Sequence, residues 1–260
     1  MFRLDRAELR SLEHKVAEMR HERFEGLPAK YVCFAPNYVG YHARRFATLL
    51  LLLRQMGVTP ETTILDVGPT FTSILFHREL GCKVDSISFS PDEETPFGVN
   101  YQFDLNRTQD PEDWRLDLGR YPVVVFAEVV EHLHTHPSRA LAYLRELTQP
   151  GGHIILQTPN ALALRKRIQL LFGRHPFEEL SLERESPSHF RESTLAELVR
   201  YGKAAGLEVA QAGEFNYFNP AYRQNQRKVS PFAGKLYYRF NDWLPAAMKQ
   251  GCMVVYRRKE

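Results

Sequence analysis

A doubly wound α/β fold, with a mostly parallel sheet of about seven strands behind an N-terminal helical segment, is what the sequence predicts. Three observations carry it. From Thr62 onward, short apolar runs alternate with amphipathic stretches, the rhythm of strand and crossover helix. Pro122-Val123-Val124-Val125-Phe126 is apolar without alternation, as in a strand covered on both faces. Leu65-Asp66-Val67-Gly68-Pro69 ends an apolar run on glycine, which suits the strand-to-loop turn beside which such sheets bind ligands.

Composition agrees. The 260 residues are 43% hydrophobic and 25% charged, which excludes a disordered or fibrous protein and suits one domain, 1–260, with insertions. The three cysteines, Cys33, Cys82 and Cys252, are far apart and odd in number. They form no disulfide framework and point to a reducing, cytoplasmic compartment. The apolar run at 49–53 is closed by Arg54, far short of the ~20 residues a bilayer requires. Arg3, Asp5 and Arg6 stand where a signal peptide would be apolar. A net charge of +3 admits an anionic partner and makes nucleic acid a weak expectation.

The elements follow in order. Leu9, Leu12, Val16 and Met19 recur at helical spacing within the 1–40 extension, either docked on the domain or forming a dimer seam. A break follows at Gly26, Pro28 and 36–37, then a second helix from Gly40 or Tyr41 to Met56 with buried leucines. Residues 63–67 read as the first strand, with a helix running to about Leu80. Residues 83–89 form the second strand, and Ser90-Pro91-Asp92-Glu93 has the spacing of a helix start. Residues 101–104 make a short third strand, Asp110-Pro111 a helical turn, and 122–126 the fourth strand. A helix over 138–147 stops at Pro150-Gly151-Gly152, before a strand over 153–157. Thr194-Leu195-Ala196-Glu197 caps a helix ending near Gly206, and strands over 207–212 and 252–256 complete the set.

Two stretches break this rhythm: 161–190, with Arg165, Lys166, Arg167 and Arg174 ahead of acidic residues, and 214–243, rich in Phe, Tyr, Lys and Arg. Such insertions either cap an acceptor site or form solvated surface helices. An acceptor bound beside the basic cluster would be anionic, such as a phosphorylated or nucleotide-linked sugar. The aromatic and basic residues of the second stretch suit equally a sugar or aromatic acceptor and single-stranded nucleic acid.

The loop after the first strand lacks the GxGxxG of a dinucleotide cradle, since Thr70 and Ser73 stand where further glycines would fall; a nicotinamide cofactor is therefore disfavoured. At this point the sequence resembles the class I S-adenosylmethionine-dependent methyltransferases. Leu65-Asp66-Val67-Gly68 resembles their first motif. More specific is 123–133 (VVVFAEVVEHL), followed by Leu144-Arg145-Glu146-Leu147, Gln149-Pro150-Gly151-Gly152 and Thr158-Pro159-Asn160. The likeness extends over 41–160 and, more loosely, 188–214. The run from Thr158 to His189-Phe190-Arg191 is similar to bacterial members that modify glycans and small molecules.

The resemblance implies a Rossmann-like methyltransferase fold and S-adenosylmethionine as cofactor. It implies that Asp66, Gly68 and Pro69 border the methionine part, that Asp104 with Leu105 meets the adenine, and that Ala127 and Glu128 lie near the sulfonium. Ser88 falls where the family carries an acid for the ribose hydroxyls, and Thr70 and Thr72 replace loop glycines. Serine offers a weaker partner than a carboxylate, so a non-catalytic, methyltransferase-like partner subunit is the alternative. The favoured activity is O-methylation of a small molecule or glycan precursor, with Glu128 and His132 as catalytic candidates sharing a helical face. His134 and His136 follow as candidates or surface histidines. Glu128, Glu131 and His132 form an ExxEH array, with His189 as a distant fourth group. Some ubiquinone-pathway and small-RNA 2′-O-methyltransferases show a similar array and bind a divalent metal there, a minority expectation here. Tyr38, Tyr41, His42, Arg44 and Arg45 either close over the cofactor or pack in the core.

Overall fold

The structure is a computed structural model that describes residues 2, 4–21, 27, 38–181, 188–219, 236 and 240–260. The expected break at Gly26, Pro28 and 36–37, together with Cys33, Pro187 and most of the 214–243 insertion, lies outside the described residues.

Helix α1 (Arg6–Glu18) begins where the Asp5 carboxylate accepts from the backbone of Ala7 and Glu8 at 2.7 and 3.0 Å, relieving amides that have no partner within the helix. Its Leu9 and Leu12 pack on Ala47 and Leu51 of α2 (Tyr38–Gln55). The apolar stripe of α1 is thus docked on the domain. Helix α2 is covered by α1 on one side and by the sheet on the other, which explains why its leucines run almost all round.

Eight strands form one sheet: β1 (Thr63–Val67), β2 (Lys83–Ser88), β3 (Glu93–Glu94), β4 (Val99–Gln102), β5 (Tyr121–Ala127), β6 (Thr148–Pro159), β7 (Glu208–Phe215) and β8 (Gly251–Arg257). Their order is β3-β4-β2-β1-β5-β6-β8-β7. β4, β2, β1, β5 and β6 are mutually parallel, while β8 runs antiparallel to both its neighbours. Alternation along the strands splits the core in two. Ile64, Val123, Val125, Met253 and Val255 face α2 and α3 (Phe71–Leu80). Leu65, Val67, Val124, Phe126 and Val254 face α4 (Pro137–Glu146) and α6 (Leu195–Ala204). The two-sided burial expected from the run at 122–126 is what the structure shows.

Several boundaries differ from the sequence reading. No helix begins at Ser90-Pro91-Asp92-Glu93; instead Glu93–Glu94 pairs antiparallel with β4 as the eighth strand. Asp92 makes no cap because its carboxylate accepts from the Gln102 amide at 2.6 Å and from both terminal nitrogens of Arg115 at 2.7 and 2.6 Å. The third strand expected at 101–104 is β4, Val99–Gln102, and Asp104 instead caps a short 3-10 turn by accepting from Asn106 at 2.9 Å. Pro150, Gly151 and Gly152 lie inside β6, whose register against β5 slips between Tyr121 and Val123. β7 extends to Phe215, so the second insertion begins within a strand. The first contains a helix, α5 (Leu164–Leu171).

Candidate active site

The chain leaves β1 toward β2 on one side, while β5 continues to β6 on the other. The carboxyl ends of β1 and β5 therefore bound a crevice, the place where open α/β sheets bind ligands. Gly68 opens the loop after β1 with φ +71°, and a Cβ there would stand 2.7 Å from Cγ2 of Val129. Glycine is required by conformation and by space. Its N–H donates to the Ile87 carbonyl at 3.0 Å, tying the loop to β2. Thr72 and Ser73, in the first turn of α3, donate to Asp66 Oδ2 at 2.6 and 2.8 Å. Burial pushes the Asp66 carboxyl up to about 6, against these two hydroxyls and the Arg45 charge. The threonine and serine that replace loop glycines are thus occupied in clamping β1 to α3.

Glu128 follows β5 with φ 58°, the one non-glycine residue with positive φ among the described residues. Its N–H donates to the Gln157 carbonyl at 2.8 Å, which holds the chain in a conformation costing a side chain roughly 1–2 kcal/mol. The expected helical face shared by Glu128 and His132 does not form. Glu128 lies outside the short 3-10 turn Val130–His132, whose turn geometry and the left-handed residue before it replace α-helical spacing.

Glu131 is fully buried; Oε2 accepts from the Thr158 hydroxyl at 2.9 Å, and its carbonyl accepts from the Phe190 amide at 2.8 Å. Oε1 of Glu131 and Oε1 of Glu128 are buried without a protein partner. Burial raises both carboxyl groups well above the usual carboxylate range, and Glu131 raises Glu128 further. The opposing cation is Arg45, 2% exposed, whose Nη2 donates to the Tyr38 hydroxyl at 3.3 Å while Nε has no partner. Tyr217, also buried, leaves its hydroxyl unpartnered, and its ring occupies the space a side chain at Gly251 would need. Buried polar groups are nearly always paired. Several unpartnered polar atoms here belong to the carboxylate pair, Arg45 and Tyr217.

Beside this pair the His132 and His189 rings meet edge-on at 4.8 Å. Ligand atoms of Glu131, His132 and His189 all lie within 4.8 Å of one another. His189 Nδ1 is 3.1 Å from Glu192 Oε1, and Glu192 also pairs with Lys166 of α5. Burial lowers His189, with help from His132, and brings the Lys166 ammonium down to about 8.

The remaining expected residues sit along the same side of the sheet. Pro69 is buried behind the loop, Ala127 ends β5, and Leu105 is a core residue behind Asp104. Ser88, at the end of β2, donates to Asn100 Oδ1 at 2.8 Å and accepts from the Ser90 amide. His134 is exposed beside Phe190, and His136 caps α4. Of the residues leading into the core, Arg45 is buried and its charge opposes the upward shift of Glu128 and Glu131, whereas Arg44 pairs with Asp242 at 2.9 Å. His42 is buried against Tyr38, Tyr41 and Phe218, which holds its pKa well below the usual value. Sequence reading missed Tyr217, Gln157 and Thr158. In the sequence Arg45 stands out only within the group that either closes over the cofactor or packs in the core, and Tyr217 only as part of the 214–243 insertion.

A family model described as "Methyltransferase domain" matches residues 38–212. The chain belongs to the methyltransferase domain family. It is a class I S-adenosylmethionine-dependent methyltransferase, and the crevice at β1 and β5 lies within the matched span. Among solved structures, the methyltransferase is similar in fold to a protein assigned as a methyltransferase in complex with the Haloferax volcanii Trm112 activator. That pair has a TM-score of 0.52 and 14% identity over 83% of this chain and 89% of that one. A geranyl diphosphate methyltransferase in complex with S-adenosylmethionine aligns over 95% of each chain at 13% identity and a TM-score of 0.50. The [4+2]-cyclase SpnF aligns at 14% identity and 0.50, over 84% of this chain and 82% of that one. No curated protein matches the methyltransferase in sequence.

Proposed function

We propose that this methyltransferase methylates an oxygen of a small molecule or glycan precursor, with Glu128 as the group that takes the acceptor proton. The observation that supports it is the Glu128–Glu131 pair, buried at the end of β5 with one oxygen of each left free. S-adenosylmethionine supplies an activated methyl group, so the protein must align, desolvate and deprotonate the acceptor. With the cofactor bound there to supply the methyl group, Glu128 takes the proton that the acceptor hydroxyl gives up. Burial makes Glu128 a stronger base than an exposed carboxylate, and the Arg45 charge opposes part of that rise.

The residues present suit the cofactor. Gly68 gives the loop after β1 a positive φ that a side chain would not tolerate beside Val129, which keeps its backbone bare toward the methionine part of the cofactor, and Asp66 ties that loop to α3 through Thr72 and Ser73. Asp104 uses one oxygen on Asn106, which leaves the other for an adenine amino group. Ser88 is committed to Asn100, so the ribose is gripped less firmly than by an acid, at a cost of about 1–2 kcal/mol in affinity. Calorimetric titration with S-adenosylmethionine and its demethylated product tests this reading. Binding is expected, weakened by about 1–3 kcal/mol in Asp104→Ala. Absence of binding to the wild type favours the partner-subunit alternative, and unchanged affinity in the variant moves the adenine elsewhere.

Glu131, His132 and His189 support a second reading, a divalent metal. Their donor atoms converge, Glu131 Oε1 lacks a partner, and burial lowers the His189 pKa, which favours the neutral imidazole a metal requires. One carboxylate and two imidazoles suit an ion with open positions, and such an ion lowers the pKa of a bound hydroxyl. Metal analysis of untagged protein, with assays in and out of chelator, separates the readings; full activity in chelator leaves Glu128 and His132 to act alone.

A further inference from the structure

Helix α5 is inside out. Lys166 turns toward the domain, where its ammonium donates to the Asn160 carbonyl at 3.1 Å and pairs with Glu192. Leu164, Ile168, Leu171 and Phe172 fall at i, i+4, i+7 and i+8, one stripe of an α-helix. Past the half-buried Leu164 the stripe faces outward: Ile168 is 46% exposed, Leu171 81% and Phe172 74%, with Leu170, 59% exposed, beside it. At 100° per residue, Arg165 borders the stripe on one side and Arg167 on the other. Arg174 follows just past Gly173, and no Asp or Glu occurs between Glu146 and Glu178. The neighbouring segment carries Trp243, 89% exposed, and leads to Ala247, whose carbonyl accepts from Arg167.

A soluble helix normally buries its apolar stripe and exposes its lysine, so this reversal calls for a second apolar phase on the outside. Charge decides which. An apolar stripe edged by arginines on both sides, with no acid in its own segment and an aromatic residue alongside whose neighbour Asp242 is neutralised by Arg44, matches the headgroup boundary of an anionic bilayer, where apolar groups enter and cations meet phosphate. We propose that α5 and the Trp243 segment form a peripheral docking face for anionic lipid membranes. No helix among the described residues is long and apolar enough to cross a membrane, so the attachment is in the plane of the surface. It stands independently of the acceptor chemistry proposed above, since it rests on residues outside the crevice.

Co-sedimentation of the full chain with vesicles tests it, comparing phosphatidylcholine alone with phosphatidylcholine–phosphatidylglycerol at about 2:1. Pelleting is expected with the anionic vesicles and should weaken as salt is added. The double variants Leu171→Asp with Phe172→Asp, and Arg165→Glu with Arg174→Glu, should each lower the partition at least about tenfold while melting like the wild type. An independent reading needs no variant. The chain has two tryptophans, Trp114 packed against Tyr143 and Trp243 exposed, so brominated lipid should quench part of the wild-type emission and leave the rest. No pelleting or no quenching overturns the proposal. So does a lipid-independent dimer that the Leu171→Asp, Phe172→Asp variant disperses, which would assign the face to a second copy of the chain.

Discussion

Glu128 combines two costs at one position, a left-handed backbone and a buried carboxyl group, and strain of this kind collects where a side chain must be aimed. Glu128→Gln keeps the aim and removes the base. Turnover should fall by about 10²–10³ with little change in cofactor affinity, measured by steady-state kinetics once an acceptor is in hand; equal losses in cofactor binding would make Glu128 a contact rather than a base. Asp66 permits a test without any acceptor. Its pKa rises from 3.8 to about 6 on burial, so the folded state holds its proton more tightly than the unfolded chain does. Stability from this group is therefore fully present below about pH 4 and is lost as pH rises toward about 6. Asp66→Asn should melt with a shallower fall in stability over that window. A steeper fall would mean that the Thr72 and Ser73 hydroxyls hold Asp66 ionised.

At the scale of elements, α6 lies on β8 with almost no gap. Gly202 faces the Tyr256 ring, which a Cβ at 202 would overlap, and the Tyr256 hydroxyl donates to the Leu198 carbonyl at 2.7 Å. Gly202→Ala should cost about 1–3 kcal/mol, read from urea unfolding, while Gly119→Ala tests only the strain of a positive φ because nothing lies near its Cβ. Elements were legible where one signal acted alone. The apolar runs of β1 and β5 and the spacing of α1 fall in this class, since burial on one or two faces is their whole cause. They were misread where a residue had a rival partner. Asp92 looks like a cap in sequence but serves Arg115, and Gly151-Gly152 looks like a stop but lies in a strand with an irregular entry. The site divides the same way. Residues at strand ends, from Asp66 to Glu128, could be placed from the sequence because a strand end fixes their position. Arg45 and Tyr217 come from distant segments and become neighbours of the carboxylates only when α2 and the stretch after β7 close over the sheet.

For the molecule as a whole, cofactor binding and folding are linked, because the crevice exists only when β1, β2, β4 and β5 are assembled. A ligand at 100 times its dissociation constant should add about 2.7 kcal/mol to stability. Thermal melts with and without S-adenosylmethionine read this directly, and an unmoved midpoint at saturating ligand would separate this chain from cofactor-binding members of its family. The position of β8 has a consequence for biosynthesis. It lies between β6 and β7 yet follows both along the chain. While the ribosome is still making residues 216–250, β6 presents an open strand edge and β7 has no neighbour to pair with. Unpaired edges of this kind recruit other chains, and closing such a long-range contact is slow. The nascent protein thus has a window of exposure that ends only when residues 251–257 emerge and join the two halves of the sheet, and a trigger-type chaperone working in that window would protect β6 first.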